Sequence, residues 1–488
     1  MSKGNAVEQL NRRTLLRAGA AAAGLAALPT GLRAAGRRRL DDPHETIAAA
    51  AAKLRGSRDL TLRLLHPEGS WANLEPLTAA FTARTGVKFQ RVTVRVDELA
   101  AHMLTTSLAD QSDWDIALPA TFALPDLVEA GCLLDLTQLA REHEPVSIRA
   151  GMLYDVGDYY LDRLYGYQTD GDCYLLTYNR RLLEDDAHNR AFESRYGRPL
   201  GVARTWQELD EMMAYFASSE GGGHSSTLFR TTGYAAWEWW MRFAAKGRLP
   251  FDGSMDPAIA GEHGVAALQE LVAASASQYD RAGVNGLFDN WQAFREGRYF
   301  CNLGWGGSQK AMRAATSRVR DQLIIASPPG FDRGGPDRLG YFNWGWNYTV
   351  FQRCASAEIA YLFCLYAVCP QPSTLAVRAD GFFDPFRAEH YADTGIRNFY
   401  GDEFMDEHRR SFEYAMPDLY LRGQTDYFDA LRRHVRQAVT GESDAQTSLS
   451  TVANSWRRTS ERLGKARQIE QWSSLRRRYP DALRELLR

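Results

Sequence analysis

Two hydrophobic periods alternate along the first part of the chain. Residues 60–64 alternate apolar and polar side chains, the period of a half-buried strand, and after a turn at 66–70 the apolar positions recur at helical spacing. Residues 87–94 and 114–118 have the composition of further strands, and a helical pattern covers 98–108 between them. The order strand, helix, strand, helix, strand predicts a parallel sheet with helical crossovers.

The rest of the chain keeps this mixture of periods. Thr205 and Glu208 form a capping box ahead of a helix whose apolar residues share one face. The apolar stretch 355–369 is too short to span a bilayer and is predicted to be a packed core helix. Further predicted segments are a polar, alanine-rich lead-in at 41–57, strands at 174–178 and 299–303, helices at 264–273 and 291–295, and a mostly helical region from 409 onward. The predicted fold class is therefore α/β.

Length and charge narrow the class of protein. At 488 residues the chain exceeds one comfortable hydrophobic core, so two domains or lobes are expected. Residues 1–39 carry eight basic side chains and one acidic, which leaves 50 basic and 59 acidic residues, a net charge of −9, in the remainder. Nucleic acid phosphates call for a basic face, so we expect no nucleic acid partner. The tail 456–488 is the exception, with ten basic residues against four acidic; it is interpreted as a solvated amphipathic helix, with a membrane or partner contact as the alternative.

Cysteine, histidine and glycine patterns supply no cofactor site. The six cysteines include no C-x-x-C pair, and the sequence does not choose among their possible disulfide pairings. The ten histidines show no H-x-x-x-H or H-E-x-x-H spacing, which leaves a zinc site unsupported. The glycines at 221–223 lack the preceding strand and the following lysine of a phosphate loop. We therefore expect neither a cofactor nor a metal.

The amino terminus has the pattern of an export signal. Arg12 and Arg13 precede an apolar run at 18–28 and small residues near 34–36. Paired arginines before a mildly apolar stretch are typical of twin-arginine translocation, and the run is too short for a lasting membrane anchor. A basic tail on a cytoplasmic protein is the alternative. We expect residues 1–35 to be a signal peptide and the mature protein to be periplasmic.

Large aromatic side chains gather at predicted turns, where a core needs them least. Trp71 stands at the carboxyl end of the first strand beside Glu68 and Ser70, and in open parallel sheets ligands gather outside such strand ends. Trp305 lies between glycines, which remove neighbouring side chains and expose the indole face. Trp237 is the member of the helical group 237–240 that we expect to reach a cleft.

A third aromatic group lies in the run 341–348. This run is interpreted as a strand with alternating faces: Trp344, Trp346 and Tyr348 on one face, and Asn343, Gly345 and Asn347 on the other. A flat indole matches the apolar face of a pyranose ring, while amides and carboxylates bind its hydroxyl groups. A core position is the alternative for each tryptophan, since most large aromatic residues are buried in cores.

An acidic pair precedes the predicted strand 174–178. In the tripeptide Asp170-Gly171-Asp172, the carboxylate of Asp172 is placed to accept paired hydrogen bonds from sugar hydroxyls, which its charge strengthens. A solvated turn is the alternative.

Six stretches then carry a family resemblance by their order and spacing: 164–183, Thr205-Trp206-Gln-Glu-Leu, Gly304-Trp305-Gly, Gly345-Trp346-Asn347, Asp384-Pro385-Phe386-Arg387 and 415–427. From about residue 58 to 440 the chain resembles the extracellular solute-binding proteins of ABC importers, family 1, in particular the sugar-binding branch akin to maltose-binding protein. It departs from the family pattern in the first crossover, where Gln168-Thr169 replaces a proline, and in a longer basic extension after about 445.

The resemblance implies a two-lobed periplasmic-binding-protein-like fold of type II, with a cleft between lobes and hinge crossovers near 166–171, 341–346 and 380–385. The implied domains are lobe 1 (58–165 plus 346–383), lobe 2 (166–345 plus 384–445) and a basic helical extension (446–488).

The function implied by the resemblance is capture, without chemistry, of a sugar by lobe closure and its delivery to ABC permease subunits in the inner membrane. The protein would be a monomer and not an enzyme. The resemblance also places the late loop, with Arg422 and Tyr427, over the ligand. The expected ligand-binding residues are Glu68, Ser70, Trp71, Thr121, Asp172, Trp237, Trp305, Trp346, Asn347, Arg422 and Tyr427.

Two other functions stay open at this point. An aromatic cage also suits cations, so the ligand class includes polyols and polyamines beside sugars. A secreted carbohydrate-active enzyme would need two carboxylates flanking a bond, for which Asp172 and Glu238 are the candidates, and a G-x-S-x-G nucleophile motif is absent from the sequence.

Overall fold

The computed structural model describes residues 43–109, 112–224, 226, 234–278, 287–332 and 334–487. The predicted export signal at 1–35 lies outside the described residues.

The strands are short and contribute to four sheets. In chain order they are β1 (Thr61–Pro67), β2 (Lys88–Val94), β3 (Ile116–Ala117), β4 (Tyr159–Tyr160), β5 (Arg163–Leu164), β6 (Tyr167–Gln168), β7 (Leu175–Asn179), β8 (Cys301–Gly304), β9 (Leu323–Ala326), β10 (Gly340–Phe342), β11 (Asn347–Val350) and β12 (Ala415–Pro417).

Helices cover the sheets and fill the second half of the chain. They are α1 (Pro43–Arg55), α2 (Trp71–Thr85), α3 (Leu99–Leu108), α4 (Leu124–Glu129), α5 (Thr137–His143), α6 (Val146–Gly151), α7 (Arg180–Leu183), α8 (Asp186–Tyr196), α9 (Trp206–Ala217), α10 (Ala235–Ala244), α11 (Glu262–Gln278), α12 (Leu287–Arg295), α13 (Gly306–Arg313), α14 (Ala357–Ala367), α15 (Pro370–Arg378), α16 (Ala388–Ala392), α17 (Thr394–Tyr400), α18 (Asp402–Ser411), α19 (Gln424–Val439), α20 (Ala445–Arg462), α21 (Lys465–Arg477) and α22 (Asp481–Arg484), with 3-10 turns at Thr121–Ala123, Val156–Asp158 and Phe412–Tyr414.

The first sheet has the strand order β2-β1-β3-β11-β6. β1 pairs in parallel with both β2 and β3, which confirms the parallel sheet expected from the alternating pattern, whereas β11 returns antiparallel to β3 and β6. The second sheet, β8-β7-β9, is antiparallel throughout. A parallel pair, β10 and β12, and a small hairpin of β4 and β5 complete the sheets.

Helix ends follow the local sequence. α2 ends at Gly86, whose φ of 72° is the left-handed conformation that glycine adopts without strain. Thr205 caps α9 by accepting a hydrogen bond from the Glu208 backbone N–H, as predicted. In a capping box the Glu208 carboxylate would accept a hydrogen bond from the backbone N–H of Thr205. Here it accepts from the backbone N–H of Arg204 instead.

The structure corrects two predicted elements. The alanine-rich lead-in contains a true helix, α1, whose buried face packs on α14 and α2. The predicted strand over 341–348 is wrong: β10 ends at Phe342 and β11 begins at Asn347, and between them the chain turns at Trp344 (φ 74°) and Gly345 (φ 63°). The alternating faces expected for this run therefore do not exist.

The apolar stretch near 355–369 is buried, as expected for a core helix, but it breaks before Pro370. Within the described residues, no single helix is long and apolar enough to cross a membrane; α14 and α15 meet the length and composition test only as a pair bent by 68°.

The cysteines and the basic tail are also resolved. All six cysteines are free thiols, so none of the possible disulfide pairings forms. The tail is not simply solvated: α20, α21 and α22 bury Trp456 and Trp472, both 0% exposed, against the body of the protein.

Candidate functional site

Aromatic rings from separate segments of the chain meet in one group, which we call the aromatic cluster. Trp237 of α10 lies with its ring centroid 5.8 Å from that of Trp305 and 6.1 Å from that of Trp344, in both cases edge to face. Each aromatic pair of this kind adds about 0.5–1.5 kcal/mol beyond area burial. The cluster consists of Tyr174, Trp237, Trp305, Tyr341, Trp344 and Trp346.

The ring of Trp305 is held in a fixed plane. It follows β8, stacks on Tyr174 at 4.7 Å with 27° between planes, and donates its indole N–H to Oδ1 of Asn343 at 2.8 Å. Trp305 and Trp237 are 7% and 3% exposed. The indole nitrogen of Trp237 is buried without a hydrogen-bond partner among the described residues, which makes it an unused donor.

Trp344 is the cluster member with the most accessible ring. It is half-buried, packs edge-on against Phe122 at 5.1 Å, and adopts a φ of 74°. A left-handed conformation in a bulky residue costs roughly 1–3 kcal/mol and is concentrated at ligand sites and switch regions. The following Gly345 has no room for a side chain, since a Cβ there would lie 2.8 Å from Oγ1 of Thr121.

Three buried carboxylates lie directly beside the cluster; we call Asp170, Asp172 and Asp384 the acidic triad. Their ligand atoms lie within 4.8 Å of one another. Asp172 accepts a hydrogen bond from the backbone N–H of Gly345 at 3.0 Å, and Asp170 accepts one from the backbone of Asp384 at 2.6 Å. A Cβ at Gly306 would come within 2.5 Å of the Asp384 carboxylate, so the glycine after Trp305 admits the triad.

Burial sets the ionisation of the triad. Desolvation, reinforced by the neighbouring carboxylates, raises the pKa of Asp170 and Asp172 well above the ordinary value. Burial also raises the pKa of Asp384 to about 7, against the Lys310 ammonium and the Tyr400 hydroxyl, which lower it. One oxygen each of Asp170 and Asp384 has no hydrogen-bond partner among the described residues.

Lys310 supplies a buried positive charge near the triad. Its ammonium donates to backbone oxygens of the segment 377–383, with the closest, Gly381 O, at 2.5 Å. Burial lowers the pKa of Lys310, while the charges of Asp384 and Asp170 raise it. The triad is the one group of the described residues whose oxygens lie close enough together to share a metal ion, and hard cations prefer such ligands. The Lys310 ammonium offsets part of the negative charge of the acidic triad.

Residues 77–397 match the family of bacterial extracellular solute-binding proteins. The chain belongs to this family. Among curated protein sequences, none matches it significantly.

Solved structures agree on the fold. The maltose-bound MalE3 of T. maritima is 18% identical with a TM-score of 0.65, over 82% of this chain and 99% of that one. A ribitol complex of an ABC transporter solute-binding protein from Agrobacterium radiobacter K84 is 16% identical with a TM-score of 0.68, over 82% and 98%. The GacH receptor of Streptomyces glaucescens, solved with acarbose, is 17% identical with a TM-score of 0.67, over 82% and 98%. The predicted resemblance and the two-lobed α/β fold class are thereby confirmed.

Four residues expected in the site of this solute-binding protein do meet there. Trp237, Trp305 and Trp346 belong to the aromatic cluster, and Asp172 to the acidic triad beside it. Asp172 is only 8% exposed, so the alternative of a solvated turn is wrong.

Thr121 and Asn347 lie next to this group but face each other. The Thr121 hydroxyl donates to Oδ1 of Asn347 at 2.6 Å, and the Asn347 amide donates to Asp158 at 2.7 Å. Burial raises the pKa of Asp158 to about 7, although the guanidinium of Arg149 opposes the shift. These side chains use their hydrogen-bonding groups on one another. Their bonds join the segment after β3 to the start of β11.

The first turn of the chain supplies a smaller group. Ser70 is buried and bonded to Pro67 O at 2.8 Å, whereas Glu68 is exposed. Trp71 is half-buried, with its ring 5.4 Å from His66 and the guanidinium of Arg91 5.2 Å from its centroid.

The late loop makes its contacts with the C-terminal helices. The Tyr427 hydroxyl bonds to Ser460 at 2.9 Å and to Gln468 at 3.0 Å. The Arg422 backbone N–H donates to Gln471, and its guanidinium lies 3.7 Å from Glu129. The structure therefore does not bring the side chains of Arg422 and Tyr427 into the aromatic cluster.

Sequence reasoning did not include several residues of the site. Trp344 was placed on a strand face, and Tyr174, Tyr341 and Asn343 were not singled out as ligand contacts. The sequence did contain a signal that could have identified Asp384 as a site residue, because the tetrapeptide that begins Asp384-Pro385 is part of the family resemblance.

The carboxylate pair of the enzyme alternative is not assembled. Glu238 accepts hydrogen bonds from Arg242 at 2.9 and 3.1 Å, one turn along the same helix, and is 1% exposed. Its neighbour Trp237 faces the cluster, and adjacent helical residues point about 100° apart. Glu238 is thus committed to a buried ion pair.

Proposed function

We propose that this protein is the periplasmic substrate-binding component of an ABC importer and that it captures a sugar or polyol between the aromatic cluster and the acidic triad. The carrying observation is the juxtaposition of Trp305 and Trp237 with Asp172, since indole faces suit the C–H surface of a carbohydrate and carboxyl oxygens accept hydrogen bonds from its hydroxyl groups. Structures of similar fold hold maltose, ribitol and acarbose, which supports this ligand class.

The proposal includes the division into lobes. Lobe 1 (58–165 plus 346–383) would hold β1, β2, β3 and β11 of the first sheet, and lobe 2 (166–345 plus 384–445) would hold the second sheet, with β6 at the crossover between them. Ligand would select the closed arrangement by its greater affinity for that state, and a membrane permease would then bind the closed complex. The protein performs no chemistry in this scheme and acts as a monomer.

The test is calorimetry of the mature protein against maltose, D-mannitol, ribitol and spermidine, with product analysis of each mixture. We expect binding of a sugar or polyol without conversion. Trp305→Phe should weaken binding about tenfold, or ~1.4 kcal/mol. Trp114→Phe is the matched control, because Trp114 is equally buried but packs on Phe351 in the first sheet. Turnover of a panel member, or equal affinity in both variants, would overturn the proposal; binding of spermidine alone would favour a polyamine binder.

Export through the twin-arginine route is proposed from the arginine pair before the apolar run. Cell fractionation should find the wild-type chain in the periplasm and the Arg12→Lys/Arg13→Lys variant in the cytoplasm. Export of that variant would refute this route and leave the binding proposal intact.

A further inference from the structure

The C-terminal helices connect parts of the chain that belong to different lobes. They follow the segment 77–397 that matches the family. α20 packs on α19 and α11, while α21 reaches β4 of the small hairpin. One extension thus contacts both sides of the molecule, and the two contacts differ in kind.

The contact with lobe 2 is apolar and buried. Trp456 is fully buried, stands 4.8 Å from the ring of Phe251, and donates its indole N–H to Tyr427 O at 2.8 Å. Trp472 is also fully buried and donates to Asp252 O at 3.0 Å. Truncating a fully buried aromatic side chain is strongly destabilising. The extension is therefore attached permanently to lobe 2.

The contact with lobe 1 consists largely of ionic groups, of which Glu129 is 17% exposed and Asp162 and the arginines are 26–60% exposed. Arg467 donates to Glu129, the last residue of α4, at 3.2 Å. Arg477 donates to Asp162, in the turn between β4 and β5, at 2.8 Å, and the Arg478 guanidinium lies 3.8 Å from the ring centroid of Tyr159. Arg477 and Asp162 are 60% and 56% exposed. Ion pairs between partly exposed groups contribute little stability each and are screened by salt.

We propose that the C-terminal helices form an electrostatic latch between the lobes. They move with lobe 2, and Arg467 and Arg477 hold lobe 1 through Glu129 and Asp162 in the arrangement seen here. Because the latch is weak, it biases the equilibrium between open and closed forms without locking it. This inference rests on the proposed function only in that ligand entry requires the lobes to separate.

Other side chains also contact the carboxylates of Glu129 and Asp162, and they determine which substitution removes the charge with little change in packing. The Tyr160 hydroxyl donates to Glu129 at 2.6 Å, and Ser474 donates to Asp162 at 3.3 Å. The guanidinium of Arg422 lies 3.7 Å from Glu129, and that of Arg478 lies 3.4 Å from Asp162. Glutamine at 129 and asparagine at 162 keep an oxygen acceptor for both donors and remove only the charge. The double variant Glu129→Gln/Asp162→Asn therefore cuts the latch with little change in packing.

The test is small-angle X-ray scattering of the unliganded mature protein at low and at high salt. The double variant should shift the open-to-closed ratio roughly three- to thirtyfold towards open, giving a larger radius of gyration at low salt. Wild type should approach that value at high salt, and the variant should respond to salt less. The reciprocal variant Arg467→Gln/Arg477→Gln should shift the ratio in the same direction but less, because Arg422 and Arg478 still lie beside Glu129 and Asp162.

The matched control is Asp256→Asn. This change removes the ion pair of Asp256 with Arg457, which joins the same extension to lobe 2 at 2.8 Å with both partners 44% exposed. It should leave the radius of gyration unchanged. A double variant that scatters like wild type at both salt concentrations, or a control that opens equally, would overturn the latch. Since the readout needs no ligand, failure of the sugar panel refutes the proposed function and not the latch.

Discussion

The indole N–H of Trp305 donates to Oδ1 of Asn343 over 2.8 Å, and this bond joins the turn after β8 to the segment that leads from β10 to β11. Both residues are buried, at 7% and 0% exposure. The ring of Trp305 is thus positioned by a stacking contact with Tyr174 on one side and by a polar contact at its edge. An indole fixed in this way loses little entropy when a ligand stacks on it.

Replacing Asn343 by alanine should weaken ligand binding through Trp305. The substitution leaves the buried indole N–H without its acceptor, which costs about 1–3 kcal/mol, and it frees the ring plane. We expect a several-fold loss of affinity in calorimetry together with a loss of stability in urea. Asn73→Ala is the control, because Asn73 is equally buried and donates to Ala376 O at 2.8 Å in lobe 1. It should lose stability alone; equal affinity losses in both variants would contradict the positioning role.

The acidic triad should make stability fall as the pH rises from about 4 to 7. The pKa of Asp384 is raised to about 7 in the folded protein, so the folded state keeps a proton that the unfolded chain releases near its ordinary value. The stability due to this proton is complete below about pH 4 and is lost as the pH rises through 7. We expect the melting temperature of Asp384→Asn, which imitates the protonated form, to rise relative to that of wild type between pH 5 and pH 7 and to keep that lead at pH 8.

Two buried histidines make stability change with pH in the opposite direction, and they determine how the control is designed. Burial lowers the pKa of His390 to about 3 and that of His408 to about 4, so their contribution is lost as the pH falls below 6.5. The comparison must therefore be variant minus wild type at each pH. Asp186→Asn, at an exposed position, should show no such difference. A constant offset of the Asp384 variant from pH 5 to 8 would mean that its carboxyl does not titrate in this range.

Elements with a regular period were predictable from the sequence. β1, β2 and α2 follow from alternation, helical spacing and Gly86, because these signals lie within a few residues. The turn at Trp344 was not predictable, since a tryptophan rarely adopts positive φ and the contacts of Trp344 with Phe122 and Trp237 are distant in sequence. The helix α1 is a different case, because alanine has the highest intrinsic helix propensity and the local sequence itself favours this helix.

The site was predictable where flanking glycines or an acidic side chain indicated it. Trp305 between glycines and Asp172 before β7 both lie in the group that the structure assembles. Arg422 and Tyr427 were assigned from the family's late loop, and the family resemblance did not extend over α20 and α21, whose Ser460 and Gln468 now bond to Tyr427. The segment that packs over a loop can lie far from that loop in the sequence, so the sequence of the loop does not identify it.

The free cysteines predict indifference to reducing agents. Five of the six are buried and Cys354 is half-buried, with a pKa that burial raises to about 11. Because the thiolate is the reactive form, native protein at pH 8 should react slowly with a thiol reagent, first at Cys354, and all six thiols should react once it is unfolded. Dithiothreitol should leave the melting temperature unchanged. A fall in melting temperature, or fewer than six thiols after unfolding, would reveal a disulfide.

Gly345→Ala should damage the site more than its backbone conformation alone explains. Gly345 has a φ of 63°, and a Cβ there would lie 2.7 Å from the Gln168 amide and 2.8 Å from the Thr121 hydroxyl. Its N–H also holds Asp172, so any shift of this peptide moves a carboxylate of the triad. Gly197→Ala is the matched control, because Gly197 has a φ of 72° with nothing within 4 Å of the added carbon. The control should lose about 1 kcal/mol of stability from positive φ and keep its affinity. Gly345→Ala should lose more stability in urea and at least several-fold in ligand affinity. Equal losses in the two variants would show that the close approach of Gly345 to Thr121 and Gln168 does not position the triad.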